Sequence, residues 1–365
     1  PVTRTSAGLW DGTFKQAYTD NPAWHYYDLI TNDRYGLGQR LKPFMVSKWA
    51  LQRIAAICDT MVDDGKGGTE PRYTCNLYLQ TAEDAFSVLQ HLAGIFRGLS
   101  FWDGSQITIE ADTYRDTDYT ITRANVVNGE FIKTGSSWSN RHTVAKVAWS
   151  NPANAYETEY VMVRSEQAIA KFGINILDLP AVGCTSEGQA YRMGLSALLT
   201  EQRRNQTVSF AMGLDGALPS VGDRIDIADP MFAGHNNGGR IASVSSDFKT
   251  IALDRDTTAK IGDKLTINLD SGKAQSRKIT GVAGRGITVD TAFDAVSAQN
   301  VWSIASDTLP TMPFTVMSVT ANDDGTQYNY TALQYDATLY DSIDKGVIIE
   351  APSVNSVSIN PRQIN

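Results

Sequence analysis

Hydrophobic residues recur with two different periods along this chain, and the change of period divides it. Up to about residue 112, apolar positions mostly return every three or four residues, between short alternating stretches, which is typical of helices mixed with strands. From about Tyr119 the period becomes two, and Asn, Gly and Ser residues separate the alternating runs. The pattern therefore predicts an α+β protein with a mixed first unit and a β-rich second unit.

Four units follow from these changes of pattern. We predict an α+β unit at residues 1–115, a β-barrel unit with helices at 116–239 and 311–345, a small inserted β-barrel at 240–310, and a polar, proline-marked linker at 346–365. Antiparallel barrels are favoured because they bury alternating apolar faces without leaving strand edges exposed.

The first helix is predicted from a start signal at Asn21 and Pro22. An Asn side chain accepts a bond from an unpaired helix N–H, and the fixed φ of proline suits the first turn. One face is predicted to carry Trp24, Tyr27, Asp28 and Thr31, with Leu29 and Ile30 broadening the apolar stripe. Gly36 and Gly38 then supply backbone freedom where the chain leaves the helix.

Two further helices, a strand and a hairpin complete the first unit. Ser47 is a plausible cap for a helix with an apolar period of Trp49, Ile54, Ile57 and Met61. The next helix is predicted to point five apolar residues inward: Phe86, Leu89, Leu92, Ala93 and Phe96. Strands are predicted at Arg72–Leu79 and, as a hairpin, at Leu99–Trp102 and Gln106–Glu110.

The longest helix is predicted at Ser186–Arg204, in the second unit, and a shorter one at Ser165–Phe172. The expected apolar face of the longer helix consists of Ala190, Met193, Leu195, Ala197 and Leu198. Strands are predicted on either side of the two helices and in the inserted barrel: 119–127, 130–134, 141–150, 158–163, 207–212, 223–228, 249–253, 264–269, 277–282, 286–289, 301–304, 314–320 and 328–335.

Composition and charge narrow the class of protein. The 365 residues have a mass of 39.9 kDa and a net charge of −8, with a pI near 5.1. A surface of that sign repels phosphate, so sequence-independent DNA binding is not expected. The three cysteines are too few and too far apart for a disulfide framework or a zinc cage, and we expect reduced, mostly buried thiols. No apolar run approaches the roughly 20 residues that cross a bilayer.

Residues 10–38 are the most distinctive stretch, because seven aromatic residues fall in it beside few charges. The pattern W-x-G-x-F-K-x-A-Y-T-D-N-P-A-W-x-x-Y-D-L-I-T-N-x-R-Y-G-L-G resembles the central region of the tail tip attachment proteins (protein J) of lambda-type phages and prophages. Further matching segments are Cys58-Asp59, Glu70–Asn76, Gly183–Ser186 with Gln189, Ala190 and Arg192, Thr200-Glu201, Gly222-Asp223 and Gly238–Arg240. Together they cover most of residues 9–345.

The resemblance implies a structural hub of a phage or prophage tail tip, with a tail-tube-like barrel. It also implies a homotrimeric ring that continues the tail tube, contacts other tail tip and tube proteins, and lets DNA pass without binding it specifically. Such a protein is made in the host cytoplasm and resides in the virion tail tip. The part that engages the host receptor is expected outside this sequence, which opens without Met and reads as a fragment leading towards fibronectin-like modules.

The candidate functional residues are structural or interfacial. They are Trp10, Phe14, Asn21, Pro22, Trp24, Tyr35, Gly36, Glu70, Pro71, Arg72, Gln189 and Arg192. Two interpretations of Glu70-Pro71-Arg72 stay open: a turn in which the Arg pairs with a local carboxylate, or a contact between subunits. For the aromatic stretch the alternatives are core packing and packing between subunits.

No motif predicts an enzyme, a cofactor site or a metal site. Gly281–Gly286 has the wrong glycine order for a dinucleotide loop and is predicted to be a hairpin turn. The four histidines lie far apart, and the carboxylate pairs are of the kind that arise by chance among 40 acids. The alternative function is a polysaccharide-binding or polysaccharide-degrading tail module. This alternative would be favoured if five tryptophans lined an open cleft: Trp10, Trp24, Trp102, Trp138 and Trp149.

Overall fold

The computed structural model describes residues 10–14, 17–78, 85–102, 105–135, 141–229, 238–305, 311–322, 324–347 and 349. Among these residues, no helix is long and apolar enough to cross a membrane. Trp138, Leu79 and most of the predicted linker at 346–365 lie outside the described residues.

The N-terminal unit, residues 10–112, combines three helices with two short hairpins. Its elements are α1 (Pro22–Thr31), α2 (Lys48–Asp59), β1 (Met61–Asp63), β2 (Thr69–Pro71), α3 (Ala85–Ile95), β3 (Gly98–Trp102) and β4 (Ile107–Ala111). Strands β1 and β2 pair antiparallel, and so do β3 and β4. The three helices and β4 share one core, in which Tyr26, Leu51 and Phe96 are buried.

Helix α1 begins as predicted but buries a different face. The Asn21 side chain accepts a bond from the Ala23 N–H, which confirms the cap. The fully buried residues are Ala23, Tyr26 and Ile30, whereas Trp24 is only partly buried, so the predicted face was off by about one residue. Gly36 is required for another reason than predicted: a Cβ there would lie 2.0 Å from the Leu29 carbonyl oxygen.

Several other local predictions in this unit were wrong. Ser47 precedes α2 but makes no side-chain cap bond. Trp49, Met61 and Phe86 are exposed rather than inward. Residues 72–78 form no strand, because their backbone bonds go to irregular partners: the Cys75 N–H donates to the Asp20 carbonyl, and the Asn76 N–H to the Gly183 carbonyl. The predicted hairpin of β3 and β4 is confirmed.

Strands dominate the rest of the chain. They are β5 (Tyr119–Thr122), β6 (Ile132–Gly135), β7 (Val144–Asn151), β8 (Glu157–Arg164), β9 (Ile176–Pro180), β10 (Gln206–Met212), β11 (Arg224–Ala228), β12 (Gly238–Val244), β13 (Thr250–Leu253), β14 (Lys264–Asn268), β15 (Ala274–Ala283), β16 (Gly286–Val289), β17 (Val301–Ala305), β18 (Met312–Ala321) and β19 (Tyr328–Gln334). The helices are α4 (Glu166–Phe172), α5 (Glu187–Arg203) and α6 (Thr338–Lys345).

A six-stranded central sheet carries the core of the second unit. Its strand order is β5-β11-β18-β19-β10-β6, and only β5 and β11 pair parallel among its described strands. Alternate residues such as Ile121, Phe210 and Tyr330 are buried together, and the rings of Phe210 and Tyr330 stack at 5.1 Å. The chain leaves this sheet after β11 and returns to it at β18, as predicted.

Three strands of the same unit form a separate outer sheet rather than joining one barrel. Its order is β8-β7-β9, with β9 parallel to β7. Strand β9 was not predicted, because Ile176–Pro180 alternates for only a few residues after a helix. Helix α5 covers the inner face of this sheet through Ala190 and Leu198.

The inserted barrel is confirmed and is closed. Its order around the barrel is β12-β13-β16-β15-β14-β17. The apolar interior includes Ile241, Leu265 and Trp302, each fully buried. The fold is therefore α+β with a closed inserted β-barrel, as the hydrophobic pattern predicts.

A buried amide joins the inserted barrel to the central sheet. The side chain of Asn268 in β14 accepts a bond from the Thr120 N–H at 2.9 Å and donates to the Thr120 carbonyl at 2.5 Å. The Asn268 side chain thus satisfies the backbone of β5 as a neighbouring strand would. This contact holds β5 between the sheet and the barrel.

Candidate functional site at helix α5

Helix α5 is packed on two opposite sides. Ala190, Gly194 and Leu198 face the outer sheet, and a Cβ at Gly194 would lie 2.8 Å from a methyl carbon of Val163. Gln189, Arg192 and Ser196 face the N-terminal unit. At roughly 100° per residue these two sets lie on nearly opposite faces. We call the contact between α5 and the N-terminal unit the α5 junction.

Arg192 is the centre of the α5 junction. Its side chain is 2% exposed and donates to Glu70 Oε1 at 2.7 Å. Further bonds of 3.1 Å each run from its guanidinium to the carbonyl oxygens of Asp63 and Arg72. Because a buried guanidinium needs both charge neutralisation and acceptors, these bonds fix the β1–β2 hairpin against α5.

The first turn of α5 adds to the same network. Ser186 caps the helix by accepting a bond from the Gln189 N–H, and its hydroxyl donates to Glu70. The Gln189 amide accepts from the Thr74 N–H and hydroxyl at 3.0 Å each and donates to the Thr74 carbonyl at 3.0 Å. One residue of the irregular segment 72–78 is thereby held at three points.

The C-terminal end of α5 is tied by a second ion pair. Arg204 donates to both carboxylate oxygens of Asp112, at 2.7 and 3.1 Å, and to the Tyr340 hydroxyl at 2.6 Å. The Tyr340 hydroxyl also donates to Asp112 at 2.6 Å. Burial is the main cause of a raised pKa for Tyr340, and the nearby Asp112 carboxylate raises it further. The hydroxyl therefore remains protonated and a donor at physiological pH.

Helix α6 is the third element of the junction. Arg72 in the N-terminal unit pairs with Asp344 at 2.6 Å, and Arg203 of α5 donates to Thr338 and Ser342 at 3.1 Å each. The predicted pairing of Arg72 with a local carboxylate is wrong, since its partner lies 272 residues further along the chain. The α5 junction therefore connects three distant parts of the sequence.

Four of the predicted interface residues, Glu70, Arg72, Gln189 and Arg192, meet in the α5 junction. Pro71 ends β2 opposite Met61. Sequence reasoning missed Asp112, Tyr340 and Asp344, because an isolated acid or tyrosine in a polar stretch gives no sign of a buried partner.

The aromatic candidates form a second group on the N-terminal unit. Trp10 lies 5.2 Å from Phe14, 5.7 Å from Trp24 and 5.2 Å from Trp49, measured between ring centroids. Phe14 stacks on Tyr27 at 4.7 Å. Half of the Phe14 side chain stays exposed, as does more than half of Tyr35, so this group is neither a closed core nor fully open.

The remaining capping residues are internal. Asn21 is buried and donates to the Ala55 carbonyl at 2.9 Å, which locks α1 on α2, and Pro22 is buried at the start of α1. Gly36 lies against the end of α1. Tyr35 donates to the Asp28 carboxylate on the surface of the same helix.

Two cavities flank the α5 junction, with volumes of about 290 and 370 Å³. Arg97 lies in the walls of both, and the larger cavity also contacts Cys184 and His91. Burial raises the pKa of Cys184 to about 11 and that of Cys75 to about 12, so both are protonated and unreactive thiols at neutral pH. Within the described ranges, no group of three or more His, Cys, Asp or Glu could hold a metal ion.

Comparison with known proteins gives the junction its context. A family model described as a putative phage tail protein matches residues 84–244. Tip attachment protein J of Escherichia phage SECphi27 is 38% identical over 96% of this chain, and tip attachment protein J of Escherichia phage SECphi4 is 34% identical over 100% of this chain. The chain spans 30% and 33% of the lengths of these two relatives.

Comparison with solved structures gives partial alignments at low sequence identity. A chain of the virion of a native gene transfer agent particle aligns with a TM-score of 0.44 and 10% identity over 79% of this chain and 47% of that one. A tail protein from Neisseria meningitidis MC58 aligns with a TM-score of 0.36 and 10% identity over 74% of this chain and 61% of that one. The chain is therefore similar, over nearly its whole length, to one part of the tip attachment proteins J of two Escherichia phages.

Proposed function

We propose that this chain forms the structural hub of a phage or prophage tail tip. In this role it makes the distal end of the tail tube and connects it to the receptor-binding parts of the same protein. Identity to two tip attachment proteins J over nearly the whole chain is the observation that carries the proposal. The α5 junction supports it, since a hub that transmits force between a tube and a receptor must hold its parts rigidly.

In the virion we expect a homotrimer that contacts other tail tip and tail tube proteins. The net charge of −8 supports free passage of DNA, because an acidic wall does not retain a polyphosphate. Host attachment is assigned to parts of the protein other than this chain. Synthesis in the host cytoplasm, before assembly into the tail, fits the three reduced, buried cysteines.

The proposal is tested on purified virions. An antibody against the inserted barrel, used in immunogold electron microscopy, is expected to label the distal end of the tail. Crosslinking of the same particles, followed by mass spectrometry, is expected to give a three-copy species. Label on the capsid or absence from purified tails would contradict the hub role, and a one-copy species in assembled tails would contradict the ring.

The polysaccharide alternative receives little support from the tryptophans that were to decide it. Trp149 is buried, Trp10 and Trp24 are partly buried against other rings, and only Trp102 among the four described is exposed. The Lys48 ammonium lies over the rings of Trp10 and Trp49, at 5.7 and 5.4 Å from their centroids. We therefore propose no enzymatic activity for the chain.

A further inference from the structure

Residues 34–53 are a basic segment in an acidic chain. They contain five cations and no Asp or Glu, while the whole chain carries a net charge of −8. The five cations are Arg34, Arg40, Lys42, Lys48 and Arg53. Arg34, Arg40 and Lys42 are exposed, and Arg53 has an acid, Glu110, at 3.6 Å. The segment therefore presents a local positive surface.

Exposed aromatic rings lie within and beside this segment. Phe44 is 80% exposed, in a single 3₁₀ turn at Pro43–Met45, and Trp49 is 50% exposed in the first turn of α2. Trp102, also 50% exposed, ends β3 opposite Ile107, and Ile107 is bridged to Val46. The Ser47 N–H donates to the Ile107 carbonyl at 3.2 Å, which holds the two segments together. We call Phe44, Trp49 and Trp102 the aromatic tip.

Several features favour a lipid surface over other polyanions as the partner of the aromatic tip. An 80% exposed Phe protrudes from the surface, and a protruding apolar ring is suited to insertion rather than to cradling a strand of nucleic acid. Trp side chains prefer the bilayer interface, and Lys and Arg beside them pair with anionic headgroups. The acidic remainder of the chain repels any polyanion, which confines the contact to the basic segment.

We propose that the aromatic tip and the cations of residues 34–53 dock on an anionic lipid bilayer, with Phe44 inserted and Arg40 and Lys42 at the headgroups. The proposal rests on the proposed function for its setting, since a tail tip operates at a cell envelope. It adds a binding surface on the N-terminal unit that is independent of the receptor-binding parts. The contact is peripheral, in keeping with the lack of any helix long and apolar enough to cross a membrane in the described part of the chain.

Vesicle flotation with the purified chain tests this surface. We expect the chain to float with vesicles of phosphatidylglycerol and phosphatidylcholine at low salt, and to remain in solution with phosphatidylcholine alone. Phe44→Ser should lower partitioning into the vesicles by about tenfold, because the Phe44 ring is proposed to make the main apolar contact with the bilayer. Arg40→Glu combined with Lys42→Glu should lower it by more than about tenfold. Circular dichroism confirms that these surface variants fold.

Matched substitutions on the inserted barrel serve as controls. Ile261→Ser removes an exposed apolar side chain, and Lys249→Glu with Lys260→Glu reverses two charges there; neither should change flotation. Failure of the parent chain to float, or equal losses in tip and barrel variants, would overturn the proposal. So would tip-dependent binding of a single-stranded oligonucleotide without flotation. Flotation does not require tail assembly, so its outcome is separate from the virion labelling that tests the hub role.

Discussion

The inserted barrel and the α5 junction are held together in opposite ways. In the barrel, six strands close on themselves around an apolar interior, and the buried residues of that interior all come from residues 241–304. In the junction, Arg192 and Arg204 reach across 122 and 92 residues to Glu70 and Asp112. The barrel depends on burial of apolar area, whereas the junction depends on buried charges that need specific partners.

This difference predicts how far the effect of a mutation extends through the molecule. Loss of an apolar side chain in the barrel leaves a cavity whose effect stays within one closed core. Loss of one charge in the junction leaves another charge without its partner, and it removes one of several hydrogen-bonded links between the two units. The predictions below test this contrast, from the largest expected effect to the smallest.

Arg192→Met should cost about 3–5 kcal/mol of unfolding free energy, because the largely shielded Glu70 carboxylate would lose its counter-charge and the Asp63 and Arg72 carbonyls would lose a donor. Urea denaturation followed by circular dichroism measures the loss. Arg164→Met is the control: that pair with Glu166 is exposed on both sides and should change stability by less than about 0.5 kcal/mol.

The double variant Glu70→Met with Arg192→Met sharpens the same comparison. With both charges replaced by apolar groups, most of the lost stability should return. If Arg192→Met alone costs no more than Arg164→Met, the junction is not stabilised by its central ion pair, and the contrast with the barrel fails.

Ile267→Ala in β14 should cost about 2–5 kcal/mol, because this side chain is fully buried in the barrel interior. Hydrogen–deuterium exchange should show faster exchange for amides of β14, β15 and β17, with α5 unchanged. Ile261→Ala, at a largely exposed position, is the matched control and should leave exchange unaltered. Equal acceleration in α5 would mean that barrel and junction unfold as one unit.

These two regions also differ in how far the sequence predicts them. The barrel follows from alternation and turn residues, which are local, so five of its six strands were predicted from the chain, whereas β12 (Gly238–Val244) was missed. In α5 the predicted apolar residues Ala190 and Leu198 are buried, whereas the predicted Met193 is exposed. The polar residues opposite them look the same in sequence whether they face water or a second unit. By their spacing alone, these polar residues would be taken for an ordinary solvent-exposed helix face: Gln189, Arg192 and Ser196.

The missed features share one physical cause. A buried ion pair is recognised only when both partners are placed, and Asp112, Asp344 and Tyr340 come from parts of the chain that no local rule connects. The same holds for the face of α1, where packing on α2 selects Ala23 and Tyr26 over the bulkier Trp24. Family resemblance identified Glu70 and Arg192 as worth attention, but it did not indicate that they pair.

Asn268→Ala should cost about 1–3 kcal/mol, since it leaves the N–H and carbonyl of Thr120 without partners in a buried position. This substitution leaves the barrel interior unchanged, so the lost stability measures only the docking of the inserted barrel on β5 of the central sheet. Differential exchange should increase at β5 while β14 and β17 keep their protection. Asn154→Ala, at an exposed turn, provides the control, and a similar loss there would remove the structural role assigned to Asn268.

The smallest effect is expected at Asp223, next to β11, because its partly buried carboxylate has no close counter-ion. Its nearest guanidinium, on Arg115, lies 3.9 Å away and is shared with Asp118 and Glu110. Burial, and then the neighbouring carboxylates of Asp118 and Glu110, raise the pKa of Asp223 above its ordinary value of 3.8. The folded chain therefore holds this proton more tightly than the unfolded chain does.

The sign of the pH dependence follows from linkage. Below pH 3.8 both states are protonated, and stability falls as the pH rises from there through the raised pKa of the folded state. Asp223→Asn removes that loss and keeps an oxygen to accept the Ser220 N–H bond. We expect a gain of up to about 1 kcal/mol at pH 7 that vanishes near pH 3.5, measured as urea midpoints at both values. Asp178→Asn, an exposed carboxylate on β9, should give no such pH-dependent gain. A loss of stability at pH 7 would instead mean that Asp223 is a required partner of Arg115, which would extend the charge-dependent behaviour of the α5 junction to the central sheet.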